Sequence, residues 1–324
     1  MSISTPQVCA PKPVLKWVGG KTQIMSSIMA AFPTTDVNTY HEIFLGGGSV
    51  LFSVLAHLRA GRIRILQDVR AYDINEPLIW VYKNIQTHPK DLYSIIQSIV
   101  DEFIACPEEG GVLNRAPSNI GEAIVCRENY YYWSRIRYNA LSPQEKCGLL
   151  GSALFIFLNK TCFRGVFRVG PRGFNVPYGH YANPTVATEE HLLAVHDLIQ
   201  GVHFECLDFN DSLSADRISP GDYVYLDPPY SPKNKTSFVG YTEKGFNGEA
   251  HMALFDRVHA LTVSNACRIT MSNADVVLVR QFFESPSAAE HYAIQSLSCK
   301  RAIHSKTPSA RATEVIITNF SREI

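Results

Sequence analysis

No run of apolar residues in this 324-residue chain approaches the roughly 18 that a membrane span needs, and the opening MSISTPQVCAPKP has neither a charged n-region nor an apolar h-region. No membrane contact is expected, and a cytosol-like compartment is. The eight cysteines, Cys9, Cys106, Cys126, Cys147, Cys162, Cys206, Cys267 and Cys299, include no CxxC and meet no histidine pair at zinc spacing. Reduced, mostly buried thiols and no bound metal are therefore expected. Neither sign of charge is in excess, since 30 Lys and Arg face 30 Asp and Glu. That balance argues against indiscriminate coating of nucleic acid and leaves any such contact to local basic patches. The GxxxxGK(S/T) spacing of a phosphate loop is missing around Gly19-Gly20-Lys21. The dinucleotide fingerprint fails too, because Leu51 stands where a further glycine is needed, so NAD and FAD are disfavoured.

What remains is an ordinary globular composition, 46% hydrophobic and 19% charged, long enough for one large domain or two smaller ones. Its most informative stretch is Tyr223-Val224-Tyr225-Leu226-Asp227-Pro228-Pro229-Tyr230, a β-rich run ending in an acid, two prolines and a ring. Such a run places the Asp227 carboxylate at the C-terminal edge of a sheet, where open α/β folds bind ligands. Pro228 and Pro229 fix φ and remove two backbone donors. Either this is a plain Pro-Pro turn, or Asp227 and the Pro228 carbonyl accept the two protons of an amino group on a flat base while Tyr230 stacks on its face.

Two further strand ends precede it. His41 to Phe44 runs into Gly46-Gly47-Gly48 and an apolar helix start, a turn that lets a ligand approach the backbone beside an open helix N-terminus. Val69 to Tyr72 ends in Asp73, about 25 residues beyond the glycines, a distance suited to a carboxylate accepting both hydroxyls of a ribose. The bland alternative for Asp73 is a cap on the following helix.

From residue 78 to about 157, apolar residues recur at helical spacing, with a loop expected at 107–121, so a mainly helical insertion interrupts the β/α alternation. It closes on NKTCFRGVFRVGPRGFNVPYG, in which Lys160, Arg164, Arg168 and Arg172 interleave with Phe163 and Phe167 and no acid intervenes. Gly170-Pro171-Arg172-Gly173 reads as a hairpin tip. Either it is a solvated hairpin, or it enters a DNA groove, where guanidinium forks read guanine and aromatic groups wedge between bases. A helix over 189–199, strands over 202–207 and 221–227, a Lys-rich loop over 231–248 expected to be mobile until a ligand closes it, a helix over 251–262, a strand over 267–272, a helix over 274–283 and two final strands complete the chain. No helical segment separates the last two strands, so they should form an antiparallel hairpin, with the acid-free basic stretch 299–306 between them.

In this order, KWVGGK, FLGGGSVLF, DIN, NKTCFRGVFR with GFNVPYG, DPPY and HSKTPSARATEVIITNF resemble the Dam-type, D12 class DNA adenine-N6 methyltransferases, the α-group of amino-methyltransferases, over nearly the whole chain. The resemblance implies a doubly wound, Rossmann-like α/β sheet with a C-terminal antiparallel hairpin. It implies a catalytic domain at 1–77 and 187–324, and a helical target-recognition insertion with a basic β-hairpin at 78–186. It implies S-adenosylmethionine as cofactor and double-stranded DNA as partner. By the same likeness Trp17, Lys21, Phe44, Gly46, Gly48, Asp73, Asp208, Phe209 and Asp227 hold the cofactor, and Asp227, Pro228, Pro229 and Tyr230 bind the target amine. Lys160, Phe163, Arg164, Arg168 and Arg172 contact DNA, with Arg168 matching an arginine that reads guanine. GATC is the leading site, although Arg164 stands where Dam relatives carry a small amide or hydroxyl residue. A cognate restriction endonuclease would be linked through a shared site alone, and the protein is expected to be a monomer or weak dimer.

The chemistry agrees on independent grounds. The lone pair of adenine's exocyclic nitrogen is delocalised into the ring, and acceptors held out of the base plane favour a pyramidal nitrogen and stabilise the charge that develops. RNA adenine or cytosine N4 are rival acceptors, a catalytically dead nucleic-acid binder and a nicotinamide dehydrogenase rival classes. The leading Asp227, the intact glycines and the basic hairpin argue against them.

Overall fold

Short β-branched and aromatic runs become strands where a sheet lets alternate residues bury on opposite faces. The computed structural model describes residues 8–108, 110–181, 184–230, 246–264, 266–300 and 311–321. Its strands are β1 (Tyr40–Ile43), β2 (Val69–Asp73), β3 (Val169–Gly170), β4 (Gly173–Phe174), β5 (Val202–Cys206), β6 (Asp222–Leu226), β7 (Cys267–Ala274), β8 (Ala293–Lys300) and β9 (Arg311–Thr318). Seven form one sheet in the order β5-β2-β1-β6-β7-β9-β8; β3 and β4 form a separate small hairpin. The first five strands of the sheet are mutually parallel, and β9 and β8 are antiparallel to their neighbours.

From β1 the chain builds outward to β2 and β5, then returns to lay β6 and β7 on the other side of β1. That reversal is a topological switch point, with Ile43 opposite Leu226. Both strands end at one level, so Phe44–Gly48 and Asp227–Tyr230 leave the sheet side by side.

The helices are α1 (Met25–Ala30), α2 (Ser49–Arg59), α3 (Glu76–Thr87), α4 (Pro89–Ala105), α5 (Ile120–Ala123), α6 (Arg127–Ala140), α7 (Pro143–Lys146), α8 (Leu149–Thr161), α9 (Glu189–Leu198), α10 (Phe209–Ser212), α11 (Gly248–Val263) and α12 (Val277–Phe283). Strand alternation sorts them into two layers. Tyr40, Ala71, Tyr223 and Tyr225 face a core shared with α1 to α4, α6, α8 and α9. Ile43, Tyr72, Val224 and Leu226 face a second core shared with α10, α11 and α12. Helix α8, buried from Gly151 to Asn159, is apolar nearly all round because α3, α4 and α6 enclose it. Helix α3 touches β2 and β5 as well as α8, so the sheet layer and the helical segment share one continuous core.

Several boundaries differ from the sequence reading, among them the start of α11 at Gly248, and two of the differences bear on the site. Strand β7 runs on to Ala274 because its antiparallel ladder with β9 continues as far as the Asp275 amide, which donates to the Thr313 carbonyl at 3.1 Å, and α12 therefore starts only at Val277. Lys160 sits in the last turn of α8 rather than in the hairpin. The final strands pair antiparallel as expected. All eight cysteines are unpaired, and no helix among the described residues is long and apolar enough to cross a membrane. The Lys-rich stretch at 231–245 and most of the basic stretch at 299–306 lie outside the described residues.

Buried Asn159 ties the N-terminal segment to α8. Its Oδ1 accepts from the Lys16 amide at 2.8 Å, and its Nδ2 donates to the carbonyls of Lys16 at 2.8 Å and Gly165 at 3.3 Å. Asn159→Ala should lower stability by about 2–3 kcal/mol, since it leaves buried backbone groups unpaired. A urea midpoint within error of the parent would show that these bonds do not hold the segment.

Candidate active site at the switch point of the sheet

A cavity of about 930 Å³ opens at the C-terminal ends of β1, β2 and β6. The chain leaves β1 through Phe44 (φ +68°), Gly46 (φ +50°) and Gly48 (φ +71°), a sequence of left-handed residues that turns it sharply into α2. The glycines serve the protein's own packing. A Cβ at Gly46 would lie 2.8 Å from the Trp17 indole, one at Gly47 2.9 Å from the Trp17 Cβ, and one at Gly48 3.0 Å from the Tyr82 hydroxyl. The space that the sequence reading reserved for a ligand is thus partly filled by Trp17 and Tyr82. Tyr82 donates to the Gly46 carbonyl at 3.0 Å.

Asp73, at the end of β2, clamps this turn. Its Oδ2 accepts from the Gly46 amide and its Oδ1 from the Asn75 amide, both at 2.9 Å. Burial raises its carboxyl, with the amides of Asn75 and Gly46 opposing. The helix cap is Asn75, which accepts from the Leu78 amide, so the capping alternative for Asp73 is set aside. Asp208 caps α10 through the Asn210 amide at 2.9 Å and carries Phe209 into the cavity wall. There Phe209, Phe44 and Phe246 form a three-ring apolar end, with centroids 5.7 to 6.1 Å apart. Phe246 was not anticipated, because it follows the polar stretch with no periodicity to mark it.

At the opposite end lies Asp227. Its Oδ2 is 2.6 Å from the buried Lys21 ammonium, and its Oδ1 accepts from the Ser272 hydroxyl at 3.1 Å. Burial raises the Asp227 carboxyl, and Lys21 and then Ser272 pull it back. The same ammonium sits 4.7 Å from the centroid of the Tyr230 ring. The Tyr230 hydroxyl donates to Glu314 Oε2 at 2.7 Å, and burial, with the charges of Asp227 and Glu314, pushes this phenol far above its ordinary value. The Pro229 carbonyl lies 3.0 Å from His251 Nε2. Lys21 and Asp227 were both named from the sequence, but their pairing was not; Glu314 lies within the closing RATEVIITNF stretch without being singled out there, and Ser272 and His251 carry no motif signal.

The hairpin borders this cavity through Val166, Phe167 and Arg168. Phe167 is not free to wedge between bases, being buried against Trp17, Phe155 and Phe174 at 5.0 to 5.8 Å. Phe163, by contrast, is exposed, with the Arg164 guanidinium 5.0 Å over its ring. The Arg168 Nε donates to Asn175 Oδ1 at 2.6 Å, and Arg172 is exposed at the tip. Burial and the nearby Lys16 lower the Lys160 ammonium to about 8.

The family model described as D12 class N6 adenine-specific DNA methyltransferase matches residues 17–301. The Type II methyltransferase M.MjaIII of Methanocaldococcus jannaschii is 33% identical, over 89% of this chain and 93% of that protein. The Type II methyltransferase M1.LlaDCHI of Lactococcus lactis subsp. cremoris is 26% identical over 95% of each. A DNA adenine methylase of Serratia marcescens is 28% identical, over 89% of this chain and 91% of its own.

Glu42 lies under the cavity and accepts from the Tyr40 hydroxyl at 2.8 Å. Burial pushes its carboxyl up from 4.5 to about 8, although Tyr40 and the Leu51 amide oppose the rise. Because the folded value exceeds the unfolded one, its stabilisation is complete below pH 4.5 and is lost as pH rises through about 8. Glu42→Gln keeps a neutral side chain and should remove that slope, gaining a few kcal/mol at the alkaline end. Urea titrations from pH 5 to 9 read the effect, and parallel slopes in the two proteins would show Glu42 ionised throughout.

Proposed function

The chain belongs to the D12 class N6 adenine-specific DNA methyltransferase family, and from that membership we propose that it moves a methyl group from S-adenosylmethionine to N6 of an adenine flipped out of a short duplex site. One observation carries the reading. The Lys21 ammonium already occupies the place a base amine would take, hydrogen-bonded to Asp227 and set over the Tyr230 ring. A site that accepts an N–H donor there has the acceptors and the π-face that adenine needs.

The cavity's residues fit the cofactor's parts. Phe44, Phe209 and Phe246 offer apolar ring surfaces to its adenine, beside Asp208. Asp73 accepts from the Gly46 and Asn75 amides, with the Ile74 amide also acting on it, and its remaining acceptor capacity serves ribose hydroxyls. Trp17, Lys21, Gly46 and Gly47 border the space left for the methionine end, with Gly48 behind them against Tyr82. When bound, S-adenosylmethionine supplies a methyl group on a sulfonium leaving group. Asp227 and the Pro228 carbonyl then accept the protons of N6 as Lys21 yields its place, Tyr230 stacks on the base, and the fixed acceptors stabilise the positive charge growing on nitrogen. Extruding the base costs roughly a few kcal/mol.

Residues 78–186 act as the target-recognition region and residues 1–77 and 187–324 as the catalytic one. Arg168 borders the cavity and reads a guanine, while Lys160, Phe163, Arg164 and Arg172 engage the duplex. GATC leads among candidate sites, with Arg164 as the departure from the Dam pattern. The protein works as a monomer or weak dimer and would share only a DNA site with an endonuclease.

Asp227→Ala should abolish methyl transfer from labelled cofactor to duplex DNA while leaving DNA affinity nearly unchanged; full activity would remove the mechanism. Arg168→Ala should cost roughly 1–3 kcal/mol of binding and relax one base position. Long-read modification calling on DNA from expressing cells reads that position, and an unaltered motif would show that Arg168 does not read bases.

A further inference from the structure

We propose that the strands beyond the catalytic motif supply its positioning residues, Ser272 on β7 orienting the Asp227 carboxylate and Glu314 on β9 setting the tilt of the Tyr230 ring. The inference rests on the reading of Asp227–Tyr230 as the amine-binding site. Register brings the two residues together. Ser272 lies opposite Ile316 and Ala274 opposite Glu314, so Ser272 and Glu314 are diagonal neighbours on one face of the antiparallel pair. That face also carries Tyr225, whose hydroxyl is 2.9 Å from Ser272 Oγ.

Proton counting gives the chain a direction. Ser272 has one hydroxyl proton and spends it on Asp227 Oδ1, so Tyr225 must donate to Ser272. The order Tyr225 to Ser272 to Asp227 is built from side chains almost wholly excluded from solvent at its first two members. Asp227 Oδ2 is held by Lys21, the group that the target amine displaces. Once Lys21 yields, the Ser272 bond is the side-chain restraint that keeps the carboxylate aimed at N6. Tyr230 is held at the far end of its ring, where its hydroxyl meets Glu314 at 2.7 Å, so the stacking face cannot swing freely about the Cα–Cβ bond.

The two anchors act oppositely on Asp227. Ser272 stabilises the ionised carboxylate by hydrogen bonding, and the charge of Glu314 destabilises it. Among the described residues, Lys21, Glu42, Tyr225 and Tyr230 also interact electrostatically with Asp227. Asp227 must be ionised to accept the amine protons, so protonating it switches the reaction off and sets the acid limb of the rate profile.

The test measures kcat, both KM values and kcat against pH for the full chain with S-adenosylmethionine and duplex DNA, together with fluorescence of 2-aminopurine at the target position. Ser272→Ala should lose roughly 10- to 100-fold in kcat with KM little changed, as for one hydrogen bond to a charged group, and its acid limb should move to higher pH. Glu314→Gln keeps an acceptor for Tyr230, so it should retain kcat and base quenching while its acid limb moves to lower pH. Glu314→Ala should lower kcat and leave 2-aminopurine less quenched. A Ser272→Ala enzyme within twofold of the parent with an unmoved limb, or limbs that shift the same way in Ser272→Ala and Glu314→Gln, overturns the proposal, as does parental quenching in Glu314→Ala. Activity surviving in Asp227→Ala would instead overturn the underlying reading. An inactive Asp227→Ala beside indifferent Ser272 and Glu314 variants overturns the positioning alone.

Discussion

The parallel pairing of β1 with β6 is the constraint on which the molecule depends. Ile43 opposite Leu226 ends two strands at one level, and the chain builds away from that seam in both directions, which makes it the switch point of the sheet. A glycine turn emerges on one side of the seam and an Asp-Pro-Pro-Tyr turn on the other. Slipping β6 by one residue against β1 would send Tyr223 and Tyr225 into the layer of α10 to α12 and Val224 and Leu226 into the other. The geometry of the site and the packing of the sheet are therefore one and the same choice.

Electrostatics give the cavity its character. Glu42, Asp73 and Asp227 all border it, and burial raises all three carboxyls. Lys21 is the buried cation set against them, bound to Asp227. Buried acids with so little compensation favour a ligand that brings positive charge, which supports the proposal of a sulfonium cofactor with an amino group. The proposed transfer also places its growing positive charge beside Asp227. In that proposal the lysine is a stand-in that keeps the acid paired until substrate arrives.

The hairpin shows how packing divides a sequence pattern. Phe163 and Phe167 look equivalent as aromatic residues among arginines, yet Phe167 turns inward to stack on Trp17 and Phe155 while Phe163 stays exposed. Trp17 in turn fills the space over Gly46 and Gly47. One chain of rings therefore links the glycine turn after β1, the N-terminal segment and the base of the hairpin, a mechanical connection between the proposed recognition and catalytic sites.

Local pattern was enough to reveal the strands that lead into Gly46, Asp73 and Asp227, the helical character of residues 78–157, the final antiparallel pair and the family itself, because strand ends, turns and ordered motifs are written in contiguous residues. The partnerships were not legible. Lys21 with Asp227, Ser272 with Tyr225 and Asp227, Glu314 with Tyr230, and Trp17 with the glycines each join residues far apart in the chain. Nothing in a hydrophobic period or a turn residue specifies which distant strand lies alongside. Those choices follow from sheet order and register, which are settled only when the two cores close on opposite faces of the sheet.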